Sequence, residues 1–295
     1  MSGNDGRPKR GVSFKVWRRR LRHPLSWLPD IPVEQLDAYH RVWDNFQMAP
    51  FVEDGRHDTD DWRAGASSFA ICCVRVPREA LNDEIERVRD ALREYPFVRL
   101  HPDGFLHIPI QELGFVSMMP RARDEINLPR LEEFCSVARI PIAESPRFSV
   151  KVVGLNSFLD APFLGIEDGA SLSRIQRRLL DITLIPPNTR YPYLPHVTIG
   201  HYIEHAPIED LPSKLASWKD TVFGTFEVTD IDVVTISTDE TYPPLVEFQP
   251  LPLGTATATT PFVTSPGIGT ASSQHDPAGA DAESDSDMDS GRGSG

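Results

Sequence analysis

The sequence predicts an α+β protein in which two similar sheet lobes face each other. Two histidine-bearing runs carry most of that prediction. In Tyr193-Leu194-Pro195-His196-Val197-Thr198-Ile199-Gly200, the β-branched Val197 and Ile199 alternate with His196 and Thr198, the period of a half-buried strand. Side chains two apart on a strand share a face, about 7 Å apart at the backbone, so the imidazole and the hydroxyl sit side by side. A second run, from Phe105-Leu106-His107-Ile108-Pro109-Ile110-Gln111 on to Phe115, repeats the pattern 89 residues earlier, with Ile108 and Ile110 behind His107. The third observation is that strand and helix periodicities alternate around both runs, with closing strands after the second.

In chain order, residues 1–25 are a basic arm, expected to be flexible and solvated, with Phe14, Val16, Trp17 and Leu21 among the cations. Residues 26–67 form an N-terminal extension whose periodicity predicts a helix from 33 to about 46, with Leu36, Tyr39 and Trp43 on one face. His57, Asp58, Asp60 and Asp61 read as a surface turn. The regular domain spans 68–252. It opens with an apolar run over 69–76, a buried strand ended by Pro77. A helix over 79–95 follows, with Leu81, Ile85, Val88, Leu92 and Tyr95 on its inner stripe. Residues 98–100 are extended, and Asp103-Gly104 is a hairpin signal before the His107 strand.

Pro129 opens a helix to about residue 139, with Leu131, Phe134, Cys135 and Ala138 inward. Strands over 148–155 and 162–166 come next. Ser171 caps a helix that presents Leu172, Ile175 and Leu179. After the His196 strand, a helix over 208–218 leads to strands at 224–229, 231–237 and 246–248. From 253 to 295 the chain is rich in small residues and proline, then acidic, and is expected to be a disordered tail.

The 295 residues carry a formal charge of −13, unevenly spread. Eight Arg and Lys face the single Asp5 within residues 1–25, and six Asp and Glu face Arg292 within 276–295. The body between is strongly acidic and repels a nucleic-acid backbone, which argues against broad binding to long RNA or DNA. A small nucleotide or one RNA end held by local positive groups is compatible with it. No apolar run approaches the roughly 18 residues of a membrane span, so stable membrane insertion is not expected and a cytoplasmic location is. Cys72, Cys73 and Cys135 read as buried small hydrophobes, with neither disulfide nor structural zinc expected. His196, His201 and His205 do not share a strand face, so no metal site is assigned to them, and His201 reads as structural.

The paired His strands resemble the 2H phosphoesterase superfamily, and within it the 2′-5′ RNA ligase or RNA 2′,3′-cyclic phosphodiesterase family. That family carries two His-x-Thr/Ser-x motifs, each followed by a hydrophobic residue. The second is matched by His196-Val197-Thr198-Ile199; in the first, Pro109 stands where the family has Thr or Ser. The resemblance covers roughly residues 68–252. It implies two pseudo-symmetric sheet lobes with helices outside and a cleft between them. His107 and His196 would flank a phosphate there as general acid and base, with no metal or cofactor. The substrate implied is a nucleotide or RNA end bearing a 2′,3′-cyclic phosphate or a 2′-5′ linkage. Thr198 would donate to a nonbridging oxygen, and Gln111, two past Pro109, would partly replace the missing hydroxyl. Tyr193 and Tyr191 are candidates for stacking a base, and Lys151 and Arg190 for nearby positive charge. Two alternatives stay open: a degenerate, non-catalytic nucleotide or RNA-end binder marked by Pro109, and an interaction protein worked by its charged arm and tail.

Overall fold

Two five-stranded sheets, each carrying one histidine strand, make up the fold. The computed structural model describes residues 31–56, 66–183 and 193–257. The basic arm, the turn with His57 to Asp61, Arg190, Tyr191 and the tail from residue 258 lie outside the described residues.

Helix α1 (Ile31–Met48) comes first, followed by β1 (Phe51–Val52) and β2 (Ser68–Arg75). Helix α2 (Glu84–Arg93), β3 (Val98–Leu100), β4 (His107–Val116) and β5 (Glu125–Ile126) complete the first half. The second half repeats the scheme with α3 (Leu128–Ala143), β6 (Pro146–Ser157), β7 (Pro162–Glu167), α4 (Ser171–Leu180) and β8 (His196–Thr198). Then follow β9 (Gly200–Tyr202), β10 (Ala206–Pro207), α5 (Leu211–Leu215), β11 (Val222–Val228), β12 (Asp230–Ser237), β13 (Val246–Pro252) and β14 (Gly254–Thr257).

The first sheet runs β13-β12-β2-β4-β5 and the second β11-β6-β7-β8, with β14 parallel to β6. The closing strands thus divide between the lobes, β11 to the second and β12 and β13 to the first. A separate ribbon, β3 against β9, joins the approach to His107 with the exit from His196. It is extended by His101 N–H donating to Ile199 O at 2.9 Å and Ile203 N–H donating to Phe97 O at 2.9 Å. One apolar core runs through both sheets and the helices, so the two lobes are not separate hydrophobic units. Strand β2 is buried on both faces, as its unbroken apolar run predicts: Ala70, Cys72 and Val74 enter that core. Phe69, Ile71 and Cys73 meet Val234 on the other side. The three cysteines are free and buried.

Several local expectations are overridden by tertiary pairing. The helix read over 79–95 begins at Glu84, because Leu81 bridges to Gly224 and Asn82 donates its side-chain amide to Val222 O at 2.8 Å. The Asp103-Gly104 turn makes no hairpin: β3 pairs with β9, not with β4. Helix α3 runs past residue 139 through Pro141, beside the exposed Val137, whose carbonyl loses its helical donor on the water side. Asp168, not Ser171, caps α4, accepting from Leu172 N–H at 2.6 Å and Ala170 N–H at 3.2 Å. Leu36 is exposed, and the packing face of α1 is Gln35, Tyr39, Val42, Trp43 and Phe46. The helix read over 208–218 is a short α5 followed by a 3-10 turn. Residues 254–257, read as tail, add a strand to β6.

Gly200, two past Thr198, lies so close to β3 that a Cβ there would meet Arg99 O at 2.7 Å and Leu100 Cα at 3.2 Å. Both are backbone and cannot swing aside. Gly200→Ala is expected to cost about 1–3 kcal/mol of stability, read as a lower urea midpoint at unchanged slope.

Candidate active site

The two histidine strands lie against each other at the junction of the lobes. Each ring is held in the same way. His107 Nδ1 lies 2.7 Å from Phe105 O, and His196 Nδ1 lies 2.7 Å from Leu194 O, in both cases the carbonyl two residues earlier. A carbonyl only accepts, so each Nδ1 carries the proton and each Nε2 is left with its lone pair. Neither Nε2 has a hydrogen-bond partner among the described residues. Each ring also meets aromatic edges: Phe105 at 5.3 Å from His107, and Phe158 and Phe163 at 5.2 and 5.4 Å from His196.

The electrostatics of the pair follow from burial. Desolvation lowers the pKa of His107, against the opposing pull of the Phe105 carbonyl. His196 is pushed down to about 4, mainly by desolvation and further by charge on His107, while Leu194 O works the other way. The two imidazoles therefore sense each other, and a proton on one disfavours a proton on the other.

Thr198 shares the half-buried face with His196, and its hydroxyl has no partner among the described residues. Its backbone carbonyl accepts from His101 Nδ1 at 2.9 Å, and His101 continues through Nε2 to His201 Nδ1 at 3.1 Å. His201 Nδ1 also lies 3.1 Å from Tyr242 Oη, so His101 and His201 form a buried polar link behind the second motif. Sequence reasoning placed His201 in a structural role but missed His101, whose partners lie about a hundred residues away.

Pro109 accepts from Tyr193 Oη through its carbonyl at 3.0 Å, a bond between the two histidine segments. The hydroxyl of Tyr193 is thereby committed to the backbone. Gln111 does not share the face of His107. The register slips between Cys72 and Cys73, so that Gln111 opposes Cys72 and Pro109 opposes Cys73 with Ile110 unpaired. Such a bulge turns Ile110 and Gln111 to the same side, and Gln111, 8% exposed, donates to Glu112 O at 2.9 Å. Lys151 forms an exposed ion pair with Glu167 at 2.9 Å. Arg75, which composition did not single out, pairs with His107 across the ladder, but its guanidinium is bound to Glu247 at 2.8 Å and Asp232 at 3.3 Å. A depression of about 130 Å3 beside Leu113, Ile126 and Phe134 contains none of these groups. Among the described residues no cluster of three or more His, Cys, Asp or Glu is placed to hold a metal ion, and no helix is long and apolar enough to cross a membrane.

Comparison with known proteins adds the following. A family model described as the 2′-5′ RNA ligase superfamily matches residues 76–240, more than half of the chain. Among solved structures, the chain is similar to a phosphoesterase at 14% identity, covering 64% of this chain and 99% of that one, with a TM-score of 0.47. It is also similar to E. coli LigT in its apo form, at 16% identity, 63% and 98% coverage and a TM-score of 0.46. A Thermus thermophilus protein, TT0787, matches at 14% identity, 63% and 98% coverage and a TM-score of 0.42. No curated protein sequence matches.

The depressed pKa of His196 makes a stability prediction. The unfolded ring titrates near 6.5 and the folded one near 4, so the unfolded chain binds more protons in that window. Its contribution is complete above the unfolded value and is lost as pH falls through the folded one. His196→Asn is expected to remove up to about 3 kcal/mol of the acid-induced loss of stability, measured by urea unfolding from about pH 7 to pH 4.

Proposed function

Because the chain belongs to the 2′-5′ RNA ligase superfamily, we propose that its two histidines form a phosphodiesterase centre for 2′,3′-cyclic phosphate ends or 2′-5′ linked nucleotides. The observation that carries this reading is the matched pair of imidazoles, each with Nδ1–H tied to the carbonyl two residues back and Nε2 unbonded among the described residues. Opening a cyclic phosphate needs one proton removed and one supplied. One Nε2 takes the proton of the attacking water as its oxygen bonds to phosphorus. The other, protonated, gives its proton to the ribose oxygen as the P–O bond breaks. Two imidazoles supply both transfers, so these steps call for no metal. The reverse order joins a 2′-hydroxyl to the cyclic phosphate.

Their mutual repulsion suits this division, since it favours one charged and one neutral ring over two charged ones. The Thr198 hydroxyl, without a partner among the described residues, would donate to a nonbridging oxygen, where charge grows in the transition state. Pro109 offers no such donor. That substitution also supports a second reading, in which the two-histidine centre binds a nucleotide or RNA end without turning it over.

Turnover decides between them. Wild-type protein with 2′,3′-cyclic mononucleotides and EDTA, followed by phosphorus NMR, is expected to form one monophosphate isomer, with His107→Ala and His196→Ala both inactive. Thr198→Ala is expected to retain a trace, slower by about 10²–10³. Binding by the wild type with no conversion would replace the first reading with the second. Because both pKa values are lowered, kcat/KM is expected to peak on the acid side of pH 6.5, where one ring is still protonated.

A further inference from the structure

We infer that Tyr39, from the helix that precedes the family-matched residues, is a positioning residue for His196. The reason lies in the ladder between β7 and β8. Its register pairs Phe163 with Thr198, Leu164 with Val197 and Gly165 with His196. The next rung would set Ile166 against Pro195, and proline has no N–H to complete it. The Tyr39 hydroxyl stands at that rung. It accepts from Ile166 N–H at 3.0 Å and donates to Pro195 O, with Ile166 O 3.3 Å away. Burial holds this phenol protonated well above its usual range, so it remains a donor.

A glycine lies against the ring, and the neighbouring backbone rather than the ring excludes a side chain there. A Cβ on Gly165, the cross-strand partner of His196, would lie 3.6 Å from the Tyr39 ring and 2.7 Å from Val153 O. The helix is docked from both sides of the tyrosine. Gln35 Nε2 donates to Ile166 O at 2.7 Å, and Asn156 Nδ2 donates to Tyr39 O at 2.9 Å.

What the hydroxyl secures is a three-residue segment. Tyr193 ties one end to Pro109 O at 3.0 Å, and Tyr39 ties the other at Pro195 O. Between them is Leu194, whose carbonyl receives Nδ1–H of His196 and so aims Nε2. His107 needs no such help. Its acceptor, Phe105 O, belongs to a turn closed by Phe105 N–H to Pro102 O at 2.9 Å and Leu106 N–H to Asp103 O at 3.1 Å. One histidine is thus aimed by its own turn and the other by a helix more than 150 residues away in sequence.

Tyr39→Phe removes the hydroxyl and keeps the ring, and Gln35→Ala weakens helix docking without touching Pro195. The experiment is nitrogen-proton correlation NMR of the imidazoles in the full-length protein, with kcat and KM measured alongside. In the wild type both rings are expected as Nδ1–H tautomers. In Tyr39→Phe, His196 is expected to gain the Nε2–H tautomer and titrate closer to 6.5 while His107 is unchanged. Gln35→Ala is expected to leave both rings as they are. The importance for turnover rests on the proposed function, with kcat falling about 10-fold or more at near-constant KM. The tautomer readout does not rest on it and stands even if the protein turns over no cyclic phosphate. A His196 signal identical in Tyr39→Phe and wild type would overturn the inference. Equal changes in His107 and His196, or the same change in Gln35→Ala, would also overturn it by showing general loosening.

Discussion

One hydrogen bond, made twice, organises the centre of this protein: an imidazole Nδ1–H given to the carbonyl two residues earlier in the chain. It settles the tautomer of each ring, through a local turn alone at His107 and with tyrosine hydroxyls holding the acceptor segment at His196. It leaves both Nε2 atoms without a hydrogen-bond partner among the described residues. The fold around them serves to bring β4 and β8 together and to hold two short carbonyl-bearing segments in place. The shared core explains why that can be done accurately, since movement of one lobe against the other would disturb packing common to both.

The two halves achieve the same ring geometry by different means. Before His107 the chain closes a tight turn on itself, and His107 itself is paired to Arg75 of β2. Before His196 the approach contains a proline, leads into an edge strand, receives the Tyr39 hydroxyl at Pro195 O, and gives its own Tyr193 hydroxyl to Pro109 O. Pro109 belongs to this exchange. It brings no hydroxyl to the first motif, yet its carbonyl anchors Tyr193 and so steadies the second. That anchor is a backbone carbonyl, so position 109 supports the second histidine whatever side chain it carries.

Burial adds an electrostatic constraint of its own. Desolvation lowers the pKa of both rings, and their mutual repulsion resists double protonation. The acidic body does not supply a broad positive surface, and Arg75, opposite His107, and Lys151 are already paired with carboxylates. In the proposed reading, recognition of an anionic end would thus fall to hydrogen-bond donors at the site rather than to a diffuse field.

Local periodicity was enough to read the α+β class, the two-histidine arrangement and the face shared by His196 and Thr198, because those features are written within a few residues of each other. The apolar stripe of α1 was legible too, although Leu36 on it is exposed. What the tertiary structure alone decided depends on partners far apart in sequence. The bulge that removes Gln111 from the His107 face arises from register against β2. The anchoring of Tyr193 spans 84 residues and that of Tyr39 spans 156. No pattern within a strand or helix records such pairs, since a hydroxyl on one element finds a carbonyl on another only after the core has set their separation.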